Sequence, residues 1–106
     1  MNMGQSVVIK GELSGGEDLT LDGTVEGKVS LPGHVLTVGA NSRIDAEVVA
    51  KVLVVLGTVK GDVTVKEKFE LRAGGTVEGT LNAPKVAIAE GAHFNGKIEM
   101  PGKGEK

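Results

Sequence analysis

The chain contains no cysteine, no tryptophan and no tyrosine, and Phe69 and Phe94 are its two aromatic residues. The absence of cysteine excludes a disulfide framework and a thiolate metal site, and it fits a reducing compartment. A globular core built from 106 residues normally draws much of its buried area from aromatic side chains. The scarcity of aromatics therefore favours a narrow core filled by stacked aliphatic side chains.

A long apolar segment and a dominant sign of charge are also lacking. The longest apolar run, 52–56, is too short to span a bilayer. Residues 1–6 show neither the basic start nor the apolar stretch of a signal peptide. The net charge is −2 at pH 7, with both signs interspersed, which argues against a nucleic-acid-binding surface. We therefore expect a cytoplasmic protein that binds no nucleic acid.

Glycine is abundant, with 17 residues, and five of them define a repeated phrase: apolar residue, any residue, glycine, any residue, apolar residue. Val25 to Val29 is the plainest copy, and Ala46 replaces the glycine in another. Successive copies are 16, 19, 15, 18 and 17 residues apart, beginning at Ile9, Val25, Ile44, Val59, Val77 and Phe94. The alternation is typical of strands. Repeats too short to hold a helix between them predict a solenoid with one shared core.

Each repeat offers three inward-facing groups: the apolar residues around the glycine, one residue two positions further on, and a second apolar pair. The middle positions are Gly15, Leu31, Ala50, Val65, Ala83 and Met100. The second pairs are Leu19/Leu21, Leu36/Val38, Leu53/Val55, Phe69/Leu71 and Val86/Ile88. This pattern predicts an all-β fold, a single-stranded parallel β-helix of about six triangular coils over 7–100, between flexible tails at 1–6 and 101–106.

The handedness of the winding follows from the step lengths. A strict period of three hexapeptides would indicate the left-handed β-helix of acyltransferases. Here the steps of six residues are interrupted by steps of four, five and seven. We therefore predict a right-handed β-helix.

The ends of the rod carry the main functional prediction. A solenoid end exposes apolar core and unpaired backbone groups unless a cap covers it, and neither flank has the length or periodicity of a capping helix. Two flat apolar ends predict end-to-end stacking into a homopolymer, without nucleotide. The predicted polymer interface consists of Phe94, Ile98 and Met100 in the last coil and Val7, Ile9 and Leu13 in the first. For Phe94 a second interpretation stays open, that of a larger core residue in a less constrained coil.

The sequence shows no constellation for catalysis or for a cofactor. It has no phosphate-binding glycine loop and no dinucleotide-binding unit. His34 and His93 are the two histidines and lie several coils apart, whereas a solenoid enzyme with a histidine-bound metal would offer three on adjacent coils. We predict no enzymatic activity, no metal and no cofactor. The alternative is a left-handed trimeric solenoid enzyme, an acyltransferase or a carbonic anhydrase.

Two further interpretations concern the outer surface. An ice-binding solenoid would carry a ladder of threonine at one outward position, but Thr20 and Thr37 are followed by Val54 and Glu70. The run 52–56 is wholly apolar, so it leaves two or three apolar side chains outside in either register. It is either a locally hydrophobic surface, which is common, or a lateral contact between filaments or with a partner.

The segments 19–29, 77–86 and 88–98 resemble the bactofilins, bacterial polymer-forming cytoskeletal proteins. The resemblance extends over about 7–100 and rests on the order and spacing of the repeats. It implies a right-handed triangular β-helix of about six windings that assembles, head to head and tail to tail and without nucleotide, into apolar filaments. It also implies a scaffold for cell-shape or envelope-synthesis factors at the inner face of the cytoplasmic membrane. The candidate membrane contacts are Met1 and Met3.

Overall fold

The computed structural model describes Asn2–Met3 and residues 8–100, and within these residues the chain forms strands and turns but no helix. Every strand pairing within them is parallel. This architecture confirms the predicted parallel β-helix. The strands are β1 (Asn2–Met3), β2 (Val8–Ser14), β3 (Leu19–Leu21), β4 (Thr24–Val38), β5 (Arg43–Val55), β6 (Thr58–Leu71), β7 (Thr76–Asn82), β8 (Val86–Ile88) and β9 (His93–Glu99).

The glycine phrase stacks on itself in register. Ile9 pairs with Val25 and Val25 with Ile44, and the ladder continues through β6 to Val77 and Phe94. Six strands lie on this ladder, so the chain completes about five full turns between the first and the last. The right-handed sense of the winding stays a prediction.

The core is a column of aliphatic side chains, with one layer in each winding. Val25 and Val29, on either side of a glycine, are both fully buried. Phe69 is also fully buried, which confirms its place in the core. The predicted middle positions are buried at Leu31, Ala50, Val65 and Ala83, while Gly15 and Met100 are exposed near the two ends.

The glycine of the phrase turns a corner, which the sequence pattern does not reveal. Gly11, Gly27, Gly61, Gly79 and Gly96 have φ angles between 123° and 145°, a conformation that side chains other than that of glycine rarely adopt. Around Gly27 three consecutive residues are exposed, while the valines at 25 and 29 are buried. The strand therefore bends outward at the glycine. Two more corners complete a three-sided winding.

Ala46 stands in register with Gly27 and makes no such corner. In the described chain no residue other than glycine has a positive φ. The Ala46 methyl group instead lies in the core, and residues 44, 46, 48 and 50 alternate inward along β5. Because alanine enters the left-handed region only at a cost, this winding stays extended through the position.

The uneven spacing of the repeats comes from the other two corners together. One corner has two residues at 22–23 and 56–57 but four at 39–42, 72–75 and 89–92. Each long form closes a hydrogen-bonded turn, in which the N–H of Ser42, Gly75 or Ala92 donates to the carbonyl three residues earlier. The other corner has three residues at 32–34, one at 51 and two at 66–67, where the register shifts. The variation in the spacing of the repeats equals the variation in the summed lengths of these two corners.

One side of the winding, which we call the second face, consists of β3, residues 35–38, 52–55 and 68–71, and β8. Leu21, Val38, Val55, Leu71 and Ile88 form one of its two inward columns. Strand β1, which lies in the segment that we assigned to the N-terminal tail, pairs with Thr20 and Leu21 and extends this face. The tail boundaries stay predictions, and 101–106 lies outside the described residues.

Gly79→Ala is expected to lower the free energy of unfolding by more than Gly11→Ala does. Both glycines have φ near +125°, so each alanine should cost about 1–3 kcal/mol in backbone strain. A Cβ on Gly79 would also collide with the carbonyl oxygen of Gly61 in the preceding winding, whereas a Cβ on Gly11 meets nothing within 4 Å. Denaturant unfolding followed by circular dichroism measures both losses. Equal losses would contradict the close stacking of the corners.

Candidate functional site at the ends of the β-helix

The C-terminal end of the stack is an open sheet edge. It is formed by β8 and β9, each of which pairs on one side only within the described chain. The outer side of such a strand presents unpaired N–H and C=O groups, which can pair with a further strand. The edge lies directly above the last layer of the apolar core.

The structure places the predicted Phe94, Ile98 and Met100 on this end. Phe94 is half-buried, while Ile98 is 37% exposed and Met100 is 43% exposed. One winding earlier, Val77 lies under Phe94 and Leu81 lies under Ile98, and both are fully buried. The side chains of the last winding are exposed because no further winding of the described chain covers them.

Val86 and Ile88 belong to the same end, and sequence reasoning did not assign them to it. They stack on Phe69 and Leu71 as the last pair of the second face. Ile88 is 45% exposed, whereas Leu71 is 1% exposed. The signal was present in the sequence, because this pair is the last copy of the second apolar pair.

The N-terminal end is built by β2 on the ladder of glycine phrases. The predicted Ile9 and Leu13 are half-buried and pack against the core. Val8, the residue before Ile9, is 59% exposed, because neighbouring side chains in a strand point to opposite faces. The predicted Val7 and Met1 lie outside the described residues, as does the side chain of Met3.

A shallow surface depression lies beside Ile88, between the last two windings of the second face. Its lining includes Glu70, Arg72 and residues 87–89. The Nε and Nη2 atoms of Arg72 donate hydrogen bonds of 3.3 and 3.0 Å to Oε1 of Glu70, and Lys68 Nζ lies 3.5 Å from Oε2. The hydrogen bond from Arg72 holds the pKa of the Glu70 carboxyl below its ordinary value of 4.5, against an opposing effect of desolvation.

The two histidines occupy separate places. His34 lies at a corner, with Nδ1 3.7 Å from Oδ1 of Asp18, and His93 is exposed at the start of β9. Among residues 8–100, no three histidine, aspartate or glutamate side chains are grouped so that they could hold a metal ion. The part of the chain that the structure describes contains no helix long and apolar enough to cross a membrane.

Glu70→Gln is expected to destabilise the protein at neutral pH and to have little effect in strong acid. Because the folded-state pKa of Glu70 is lowered, its stabilising contribution is present above its unfolded pKa and is lost as pH falls through the folded pKa. For an exposed ion pair this contribution is at most about 1 kcal/mol. Urea unfolding of parent and variant across this pH range gives the difference.

Glu90→Gln, at an exposed corner, is the control for the loss of one negative charge. A stability difference for Glu70→Gln that does not shrink on acidification, or that Glu90→Gln reproduces, would contradict the role of the Arg72 hydrogen bond.

A known protein family and several known proteins are similar in sequence to this chain. The family described as Bactofilin, polymer-forming cytoskeletal, matches residues 1–99. The chain is 39% identical over 98 residues to each of the bactofilins BacO, BacP and BacN of Myxococcus xanthus strain DK1622. These alignments cover 92% of this chain and 77%, 40% and 86% of the three relatives, respectively. No solved structure matches it. With a family match over nearly its whole length and relatives at this level of identity, the chain belongs to the bactofilin family.

Proposed function

We propose that this protein polymerises through the two ends of its β-helix, without nucleotide, into filaments that serve as a scaffold. Membership of a polymer-forming cytoskeletal family supports the proposal. The observation that carries it is the contrast between the last winding and the one before it. Ile98 is 37% exposed where its counterpart Leu81 is 0% exposed.

A second subunit stacked on this end would supply the covering that the last winding lacks. Burying a large aliphatic side chain completely stabilises by about 1.5–3 kcal/mol. Ile88, Ile98 and Met100 are each about two-fifths exposed, so each would contribute about 1 kcal/mol. Pairing of the open strand edges adds hydrogen bonds. These terms oppose the entropy lost on association, and none of them requires nucleotide.

The two ends differ in their side chains, and we propose that each meets its like. The C-terminal end presents Phe94 and Ile98, and the N-terminal end presents Ile9 and Leu13. A contact between two identical ends is isologous and two-fold symmetric. Alternating head-to-head and tail-to-tail contacts would give a filament without overall polarity.

We also propose that the filaments lie in the cytoplasm along the inner face of the cytoplasmic membrane and recruit factors for cell shape or envelope synthesis. A filament repeats one subunit surface many times, so weak sites for a partner or a membrane gain avidity. In this proposal Met1 and Met3 contact the membrane. Because the matched family is cytoskeletal, we do not propose the alternative of an acyltransferase or carbonic anhydrase.

The unmodified protein is expected to form filaments in negative-stain electron microscopy with no nucleotide added. Phe94→Arg should give monomers or small oligomers, because it places a charge at the contact between last windings. Ile88→Arg should weaken polymerisation as well, since Ile88 lies on the same end. Size-exclusion chromatography measures the assembly state of each variant.

Thr64→Arg is the matched control, since Thr64 is exposed in the middle of the stack on β6. It adds the same charge away from both ends and should leave filaments intact. Long filaments of Phe94→Arg, or discrete particles of the unmodified protein, would contradict the proposal.

Met3→Glu is expected to reduce co-sedimentation with anionic lipid vesicles about tenfold, the loss expected when one apolar side chain no longer inserts. Thr64→Glu, which adds the same charge elsewhere, should bind vesicles like the unmodified protein. Undiminished binding by Met3→Glu would show that this residue is not a membrane contact.

A further inference from the structure

Between β1 and β8, the outer surface of the second face is organised in four rows, one for each winding. The register aligns Thr20, Thr37, Val54 and Glu70 in one column, so the outward residues of each row can be compared directly. The first row is acidic, the second is uncharged, the third is apolar and the fourth has a net positive charge. In order from the N-terminal end, the rows are Asp18, Thr20, Asp22; Val35, Thr37, Gly39; Val52, Val54, Leu56; and Lys68, Glu70, Arg72.

The third row and Val35 of the second row form an apolar strip. Leu53 and Val55 fill the core, so Val52, Val54 and Leu56 point outward, and each is partly exposed. Val35 pairs with Val52 and extends the strip into the preceding winding. Contiguous exposed apolar side chains with polar surroundings are typical of protein contact surfaces.

The rows on either side of the strip carry opposite charges. Asp18 and Asp22 make the first row negative, and Asp18 keeps its place by accepting a hydrogen bond of 2.9 Å from the N–H of Val35. In the fourth row Glu70 lies between Lys68 and Arg72 and contacts both, so the row has a net positive charge. Lys68 and Arg72 are exposed and can reach a partner.

Charge decides which symmetric contact this surface can make with a second copy. If two copies face each other with parallel helix axes, each row meets itself, and like charges oppose. If the axes are antiparallel and the two-fold axis runs between the second and third rows, the first row meets the fourth. Asp18 then faces Lys68, Asp22 faces Arg72, and the apolar third row faces the uncharged second row. Opposite potentials of this kind determine register and partner choice.

We propose that the second face is a lateral contact between two copies of this chain, packed face to face with antiparallel helix axes. Four rows about 4.8 Å apart span only about 14 Å, so the contact is smaller than the about 800 Å² per partner of a stable standard interface. It is weak for one pair of subunits. The strength of the contact rests on the proposed polymerisation, because a filament repeats it many times. Its geometry does not depend on polymerisation.

The absence of cysteine from the chain permits a direct test by cross-linking. Val54→Cys places a thiol beside the proposed two-fold axis, and Thr64→Cys places one at an exposed position on a different ladder of β6. Treatment of polymerised protein with a short bis-maleimide should produce covalent dimers from Val54→Cys, with Thr64→Cys staying monomeric in denaturing gels. Equal yields from the two variants would overturn the proposal.

Charge variants in the Val54→Cys background test the antiparallel arrangement. Asp22→Arg alone and Arg72→Asp alone each bring like charges together, and each should lower the yield of dimer about tenfold. A mixture of the two chains restores opposite charges at both contacts and should regain dimer. If the mixture gives no more cross-linked dimer than either chain alone, the antiparallel contact is overturned.

Electron microscopy of the same samples separates this proposal from polymerisation. Intact filaments that give no dimer at position 54 would overturn the lateral contact and leave polymerisation standing. Dimers at position 54 in concentrated protein without filaments would support the lateral contact and contradict polymerisation.

Discussion

Each inward side chain lies about 4.8 Å from its counterpart in the next winding, and this spacing constrains the rest of the structure. Layers this close favour slender aliphatic residues, with Phe69 the one aromatic wholly buried in the described chain. The same spacing explains why glycines stack on one another at the corner of successive windings. A Cβ on Gly61 would strike the carbonyl oxygen of Ala46, and one on Gly79 would strike that of Gly61. The same residues that bend the chain thus let successive windings approach.

The sequence was sufficient to predict the stacked strands and their inward residues, because alternation and spacing decide both. It was not sufficient to predict the corner at Gly27, since the apolar pattern is the same for a straight strand and a bent one. Ile88 could be assigned to the C-terminal end only once the structure showed that β8 is the last strand of the second face. The opposition of Asp22 and Arg72 could be recognised only after the register had aligned residues that are far apart in the chain.

The candidate sites are surfaces rather than clefts. The ends combine exposed aliphatic side chains with open strand edges, whereas the second face combines partly exposed valines and leucine with charged rows. The two surfaces differ in strength for a physical reason. An end offers hydrogen bonds and apolar burial together, while the second face has its backbone groups already paired. We therefore expect longitudinal contacts to dominate and lateral ones to depend on repetition.

The parallel ladders join residues that are only 15 to 19 positions apart in the chain, as in the step from Ile44 to Val59 and that from Val25 to Ile44. Every such pairing joins neighbouring windings, and a solenoid can propagate from any formed winding to its neighbour. The chain can therefore fold vectorially as it leaves the ribosome, each finished winding acting as a template for the next. In the proposed filament, a further subunit covers an open layer of the core as a new winding does within the chain, although it meets an identical end rather than a preceding winding.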